Sequence, residues 1–133
     1  MELPIITEKH LLESKNTSDQ FSRGRSNQKR GLWAEDIAYK YFIEKKYNFI
    51  SRRKKLKFGE VDLIFSFKNE IFFIEVKALH NDWMTFQRLN VNQKNRILKN
   101  SIYYQLSNPK YKVSVLLCFV SQDRSINIIN LND

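Results

Sequence analysis

Asp62, Glu75 and Lys77 are the side chains in this sequence best placed, by type and spacing, to do chemistry. They lie in the stretch Phe58–Lys77, FGEVDLIFSFKNEIFFIEVK, where acids and a lysine interrupt two runs of Phe, Ile and Val. Charged groups are rarely drawn into such surroundings unless something pairs with them or is bound by them. The two runs read as strands around a short turn at Lys68 and Asn69. With Phe67 facing Glu70, the register sets Asp62 opposite Glu75 and Glu60 opposite Lys77, facing Cβ atoms being roughly 4.5–5.5 Å apart. Alternation then gathers Val61, Leu63, Phe65, Phe72, Ile74 and Val76 on one apolar face. Glu60, Asp62, Glu75 and Lys77 collect at one end of the other face, and a one-residue slip would drive a polar set into the core. Neither turn residue is glycine, and Lys68 is an unusual choice for the primed turn of a two-residue hairpin.

Two carboxylates facing each other repel, so something must offset them. One solution is an ion pair of Lys77 with Glu75 or Glu60 at a wet sheet edge. The other is a divalent cation, and hard carboxylate oxygens suit Mg²⁺ or Mn²⁺, which keeps several waters and accepts phosphate oxygens. Zinc has no ligand set, because His10 and His80 are isolated and the chain has one cysteine. Glu75 and Lys77 point to the same side of their strand. A lysine there can position a water and offset charge developing on a phosphoryl group, which is the chemistry of phosphodiester hydrolysis.

The surrounding sequence must position these groups. GLWAEDIAYKYFIEKKYN carries Trp33, Ala34, Ile37, Ala38, Tyr41 and Phe42 at helical spacing, with Glu35 at the border of the apolar face and Asp36 turned to water. FISRRKKLKFG is dominated by Arg52, Arg53, Lys54, Lys55 and Lys57 and reads as a twisted edge strand ending in a turn at Gly59. VNQKNRILKNSIYYQL is a second amphipathic helix, with Val91, Leu98, Ile102 and Leu106 inward. YKVSVLLCFV is apolar on both faces, as in a central or parallel strand, and INIINL reads as a short final strand. The fold class is α/β, a mixed sheet with a three-strand antiparallel meander flanked by helices.

At 133 residues the chain suits one domain. Residues 1–28 read as a mobile basic N-terminal extension and residues 29–133 as the folded domain. Twenty-three Lys and Arg against 14 Asp and Glu leave a net charge of +9, which favours a polyanionic partner, nucleic acid ahead of a membrane surface. The lone Cys118 sits in an apolar run and reads as a buried thiol in a reducing compartment. No stretch is apolar enough to span a bilayer, and the N-terminus is wrong for a signal peptide, so a cytoplasmic location without membrane is expected.

A helix carrying Glu, then Asp, then Glu-x-Lys after a spacer resembles the PD-(D/E)xK nuclease superfamily. More narrowly, GLWAEDIAYKYFIEKKYNFISRR, FGEVDLI and FFIEVK, within about Gly31 to Phe119, are similar to the YraN-type uncharacterised protein family, whose members look like archaeal Holliday-junction resolvases. The resemblance implies a restriction-endonuclease-like core and a nuclease-like domain. It implies that Asp62 and Glu75 hold the metal with the Val76 carbonyl, that Glu35 reaches the metal from the first helix, and that Lys77 orients the water or stabilises the transition state. Glu35, Asp62, Glu75 and Lys77 are then the catalytic set, with Glu60 as a further contact and Lys94 holding a phosphate. A homodimer on a two-fold substrate also follows from it. Where the family usually continues Glu-x-Lys with Thr-Arg, this chain has Ala78-Leu79, which removes one phosphate contact. Its last core strand often carries an Asp, where this chain reads Lys112-Val113-Ser114.

Three readings stay open at this point. The first is a Mg²⁺- or Mn²⁺-dependent endonuclease acting on DNA, ahead of RNA, including branched DNA. Arg52, Arg53, Lys54, Lys55, Lys57, Lys94 and Arg96 would neutralise phosphates, with Lys99 beside them. Trp83, Phe86, Tyr103 and Tyr104 are candidates to stack on bases, at least two of them competing with a core role. The second is a non-catalytic nucleic-acid-binding module with a vestigial metal site. The third is an interaction protein in which Asp62, Glu75 and Lys77 form a structural ion-pair cluster.

Overall fold

A computed structural model describes residues 25–79 and 91–132, with side chains for 31–79 and 92–132. The elements run α1 (Arg25–Glu44), β1 (Asn48–Leu56), β2 (Gly59–Phe67), β3 (Glu70–Ala78), α2 (Val91–Ser107), β4 (Lys112–Val120) and β5 (Ile126–Asn130). Helix α1 begins at Arg25, so the last residues assigned to the basic extension are already helical. Trp83, Phe86, His10, His80 and Arg23 lie outside the described residues.

The strands form one sheet in the order β1-β2-β3-β4-β5. The pairs β1–β2, β2–β3 and β4–β5 are antiparallel and β3–β4 is parallel, the expected mixed sheet with its three-strand meander. This is the arrangement of a restriction-endonuclease-like core. A parallel neighbour requires a long crossover, and α2 lies on it. Strand β4 is buried from Val113 to Val120, which explains why its sequence is apolar on both faces, with Ser114 as the buried polar exception.

Among the described residues, each face of the sheet carries one helix. On one side Ala34, Ala38 and Phe42 of α1 pack on Leu63, Phe65, Phe72, Ile74, Val76, Leu116, Cys118 and Val120. Small residues at 34 and 38 let the helix approach closely while Phe42 fills the gap against Phe65, ring centroids 5.3 Å apart. Cys118 is wholly enclosed, and burial pushes its thiol up to about 12. On the other side Ile97 and Tyr104 of α2 pack on Ile50, Ile64, Ile71, Phe73, Val113 and Val115.

The inward face of α2 differs from expectation. Ile97, Asn100, Ser101 and Tyr104 are buried, whereas Ile102 is 57% and Leu106 76% exposed. The helix is rotated because Asn100 is drawn inward by hydrogen bonds to the β1–β2 turn: its Oδ1 accepts from Phe58 N–H at 2.8 Å and its Nδ2 donates to Gly59 C=O at 3.2 Å. At the other end of α2, Gln105 binds Tyr111 C=O and accepts from Val113 N–H at 2.7 Å, fastening the helix to the start of β4. No helix among the described residues is long and apolar enough to cross a membrane.

Candidate functional site

The hairpin register is as expected over Leu63↔Ile74, Ile64↔Phe73, Phe65↔Phe72, Ser66↔Ile71 and Phe67↔Glu70. Lys68 and Asn69 adopt φ of 49° and 67°, so the turn is left-handed at both central residues even without glycine. The pairing then ends at Leu63↔Ile74, one step short of the expected Asp62–Glu75 pair. In an unbroken ladder of this register, Val76 N–H would meet the Val61 carbonyl. Instead it donates to Asp62 Oδ2 at 2.8 Å. The side chain of β2 replaces its backbone as acceptor, and the regular ladder ends there in a break, or notch, in the pairing. Val61 consequently joins the cluster of Ile64, Ile71 and Phe73 on the α2 side, not the α1-side face on which simple alternation placed it.

The opposite neighbour of Asp62 is interrupted too. The β1–β2 register passes from Arg52↔Leu63 to Lys54↔Val61, skipping Arg53 and Asp62. Arg53 has φ 56°, a left-handed conformation that costs a bulky residue about 1–3 kcal/mol. Asp62 is thus skipped by both flanking ladders.

Asp62 and Glu75 both hold their protons more tightly than ordinary carboxylates. Burial is the main cause for Asp62, then the charge of Glu75, with the Val76 hydrogen bond opposing and Glu35 and Glu60 adding repulsion. For Glu75 burial again leads, countered by Lys77 and Arg96, with Glu35 and Glu60 raising it further. Four acids and two cations therefore share one electrostatic neighbourhood, drawn from α1, β2, β3 and α2. Among the described residues no three His, Cys, Asp or Glu side chains form a ready-made metal cage. The Asp62–Glu75 pair is what the notch offers a cation.

Glu35, at the border of the apolar face by helical spacing, is buried. Its Oε1, however, is held by Arg52 Nε at 3.3 Å and Arg53 Nε at 3.1 Å. Asp36, on the exposed side, takes Arg52 at 2.7 Å. Arg52 and Arg53, expected to meet phosphate, are thus engaged by α1. Lys54 is buried, at 7% exposure, because it falls on the inward side of β1, and so does not serve as a surface phosphate contact. Lys55 and Lys57 are exposed, Lys94 is half-buried, and Arg96 is exposed.

Two features escape the sequence pattern. Gly59 has φ 132°, and a Cβ there would lie 2.5 Å from Arg96 Cδ, so α2 lays Arg96 across the turn that opens β2. Asn100 holds the same turn from beneath. Helix α2 thereby sets where β2 begins and brings Arg96 within reach of Glu75. A polar Asn inside an amphipathic helix was the available signal for this brace. The two departures from the family pattern have structural uses. Leu79 packs with Leu117 and Phe119, and its N–H donates to Val120 C=O at 2.8 Å. The Ser114 hydroxyl donates to Glu70, which also pairs with Lys112 at 3.8 Å.

The profile of the uncharacterised protein family UPF0102 matches residues 34–128, which covers α1 from Ala34 through β5 to Ile128 and includes every residue of the notch. A UPF0102 protein of Campylobacter lari is 33% identical over 96 residues, spanning 70% of this chain and 85% of that protein. A UPF0102 protein of Fervidobacterium nodosum is 32% identical over 110 residues, 80% of this chain and 79% of its own. One from Clostridioides difficile is 25% identical over 111 residues, 79% of this chain and 97% of its own. With its profile match spanning the helix, the meander and both later strands, the chain belongs to the UPF0102 family, the YraN-type family that its motifs resemble.

Proposed function

We propose that this protein is a metal-dependent nuclease of the PD-(D/E)xK type, hydrolysing phosphodiester bonds in DNA, branched DNA included. The observation that carries the reading is the Asp62 carboxylate, which takes the place of a ladder carbonyl at Val76 N–H and so stands beside Glu75 where the regular ladder ends. Two adjacent, partly desolvated carboxylates fit Mg²⁺ or Mn²⁺, which needs few protein ligands because waters and substrate phosphate complete its shell. Such an ion, when bound, supplies Lewis acidity to a phosphoryl oxygen and activates water for attack.

The protein's own groups do the rest. Val76 N–H fixes the rotamer of Asp62, so the carboxylate is preorganised. Lys77 acts beside Glu75, where an ammonium orients the attacking water and offsets charge on the phosphoryl oxygens. Arg96 adds a second cation from α2. Glu35 acts on the pair through its field, its own oxygen being held by Arg52 and Arg53. Exposed Lys55, Lys57 and Arg96, with Lys94, neutralise phosphates, which makes binding steeply salt-dependent.

The test is cleavage of labelled duplex, single-stranded and four-way-junction DNA in Mg²⁺ or Mn²⁺, with Asp62→Asn and Lys77→Ala alongside. Metal-dependent cutting that both variants lose is expected. Binding without cutting in either metal would overturn the nuclease reading in favour of a non-catalytic nucleic-acid-binding module. Two observations favour that second reading: Glu35 is engaged by arginines, and Leu79 fills core space where the family carries a phosphate-binding Arg.

A further inference from the structure

We propose that Phe58 and Tyr103 form a stacking platform for an unpaired nucleobase of the substrate strand, with Lys57 and Lys99 serving its flanking phosphates. The proposal rests on the nucleic-acid reading above and adds the substrate class, a strand with at least one unstacked base beside the notch.

The two rings come from different elements. Phe58 lies in the β1–β2 turn and Tyr103 on the outer face of α2, their centroids 6.1 Å apart and their planes at 83°. Both are exposed, at 36% and 49%. Lys99, Tyr103 and Leu106 follow at helical spacing, so the stripe is continuous along α2 and runs away from the core. Lys57 Nζ stands 5.2 Å from the Tyr103 centroid and 5.9 Å from that of Phe58, and Lys99 Nζ stands 6.0 Å from that of Phe58.

Exposed aromatics interleaved with lysines fit a nucleic-acid strand better than an apolar partner, because each ring is already occupied by a cation. An ammonium over a water-exposed ring is held weakly, whereas a base stacked there is held more strongly. On binding, the base takes a ring face and the displaced ammonium moves to a phosphate, so neither group is left unpartnered. The position also fits. Asn100 binds Phe58 N–H, and Arg96 crosses Gly59 toward Glu75, so platform and notch share one brace. The four residue steps from Phe58 to Asp62 span at most roughly 13 Å, about four nucleotide steps of a stacked strand. A base held at the platform therefore places a phosphate of the same strand at the notch.

The experiment uses the full chain in EDTA with a short single-stranded oligonucleotide carrying 2-aminopurine, as DNA and as RNA, and the same sequence as a duplex. Wild type should quench the 2-aminopurine. Phe58→Leu and Tyr103→Leu keep apolar bulk at surface positions, and each should lose the quench and weaken single-strand binding about tenfold. Duplex binding should stay within about twofold, since phosphates dominate it. Leucine variants that bind single strands like wild type, or that weaken single strand and duplex alike, overturn the platform. So does a dimer in light scattering that Tyr103→Glu splits, which makes the patch a subunit interface. Metal-dependent DNA cutting, scored in parallel, separates the failures: wild type that cuts while the leucine variants bind unchanged overturns the platform alone, and wild type that binds neither probe overturns both readings.

Discussion

Replacing Asp62 by Asn should stabilise the metal-free protein at neutral pH while abolishing cleavage. An amide oxygen can still accept from Val76 N–H, so the notch keeps its hydrogen bond and loses only the charge. Two unit charges roughly 5.5 Å apart repel by about 3 kcal/mol at an effective dielectric of ~20 and by about 0.8 kcal/mol in water, which bounds the repulsion between neighbouring carboxylates. The gain should fall between these limits, an increase in Tm of about 3–10 °C for a domain of this size. Its pH dependence has a definite sign. Both carboxylates bind protons more tightly in the fold than in the unfolded chain. Between the ordinary carboxylate range and their raised values the native state holds more protons, so stability falls as pH rises through that window. The wild type should therefore lose stability as pH rises above the ordinary carboxylate range, and Asp62→Asn should flatten that loss. Differential scanning fluorimetry in EDTA from pH 4 to 8 reads both effects. A Tm equal to wild type at pH 8, or a gain that does not shrink in acid, would refute the claim that the two carboxylates strain each other.

Two further predictions concern the frame around the notch. Gly59→Ala puts a Cβ against Arg96 at φ 132° and should cost about 1–3 kcal/mol in urea unfolding, with cleavage reduced because β2 starts out of place; an unchanged midpoint would show that the turn is free to shift. Arg52→Ala removes ion pairs to Glu35 and Asp36 and should cost about 1–2 kcal/mol, less than a fully buried pair because Arg52 is 30% exposed. Binding to duplex DNA should change by less than about twofold in that variant, and a large loss by anisotropy would show Arg52 meeting phosphate after all.

How much of this was legible depends on which force set each feature. The meander could be read because alternation and a two-residue turn leave one register in which Leu63, Phe65, Phe72 and Ile74 share a face. Strand β4 could be read because burial on both sides favours apolar residues on both faces, as all but Ser114 of Val113–Val120 are. The face of α2 could not, since apolar spacing favours turning Ile102 and Leu106 inward, whereas hydrogen bonds from Asn100 to a distant turn rotate them out. Periodicity counts greasy residues and is blind to one amide satisfying two backbone groups. The engagements within the basic strand were hidden for a related reason. Arg52, Arg53 and Lys54 are equally cationic on the page, and only the packed structure commits the two arginines to Glu35 on α1 and buries Lys54 beside its partner Val61.

The break at Asp62 also argues about purpose, because costs that could have been spread over the sheet meet at one residue. Its ladder to β1 skips a step and leaves Arg53 left-handed. Its ladder to β3 ends early, and a carboxylate stands in for a carbonyl. Its charge sits against that of Glu75 in a partly desolvated notch. Each departure is unfavourable for stability alone, and a β-branched apolar residue at this position would remove the charge repulsion and allow the ladder to close. Local violations of this kind gather at functional sites, where a bound partner returns stability given up. A divalent cation held by Asp62 and Glu75 would do that directly. A structural ion pair with Lys77 does not, because it offsets the charge of Glu75 and leaves both broken ladders unexplained.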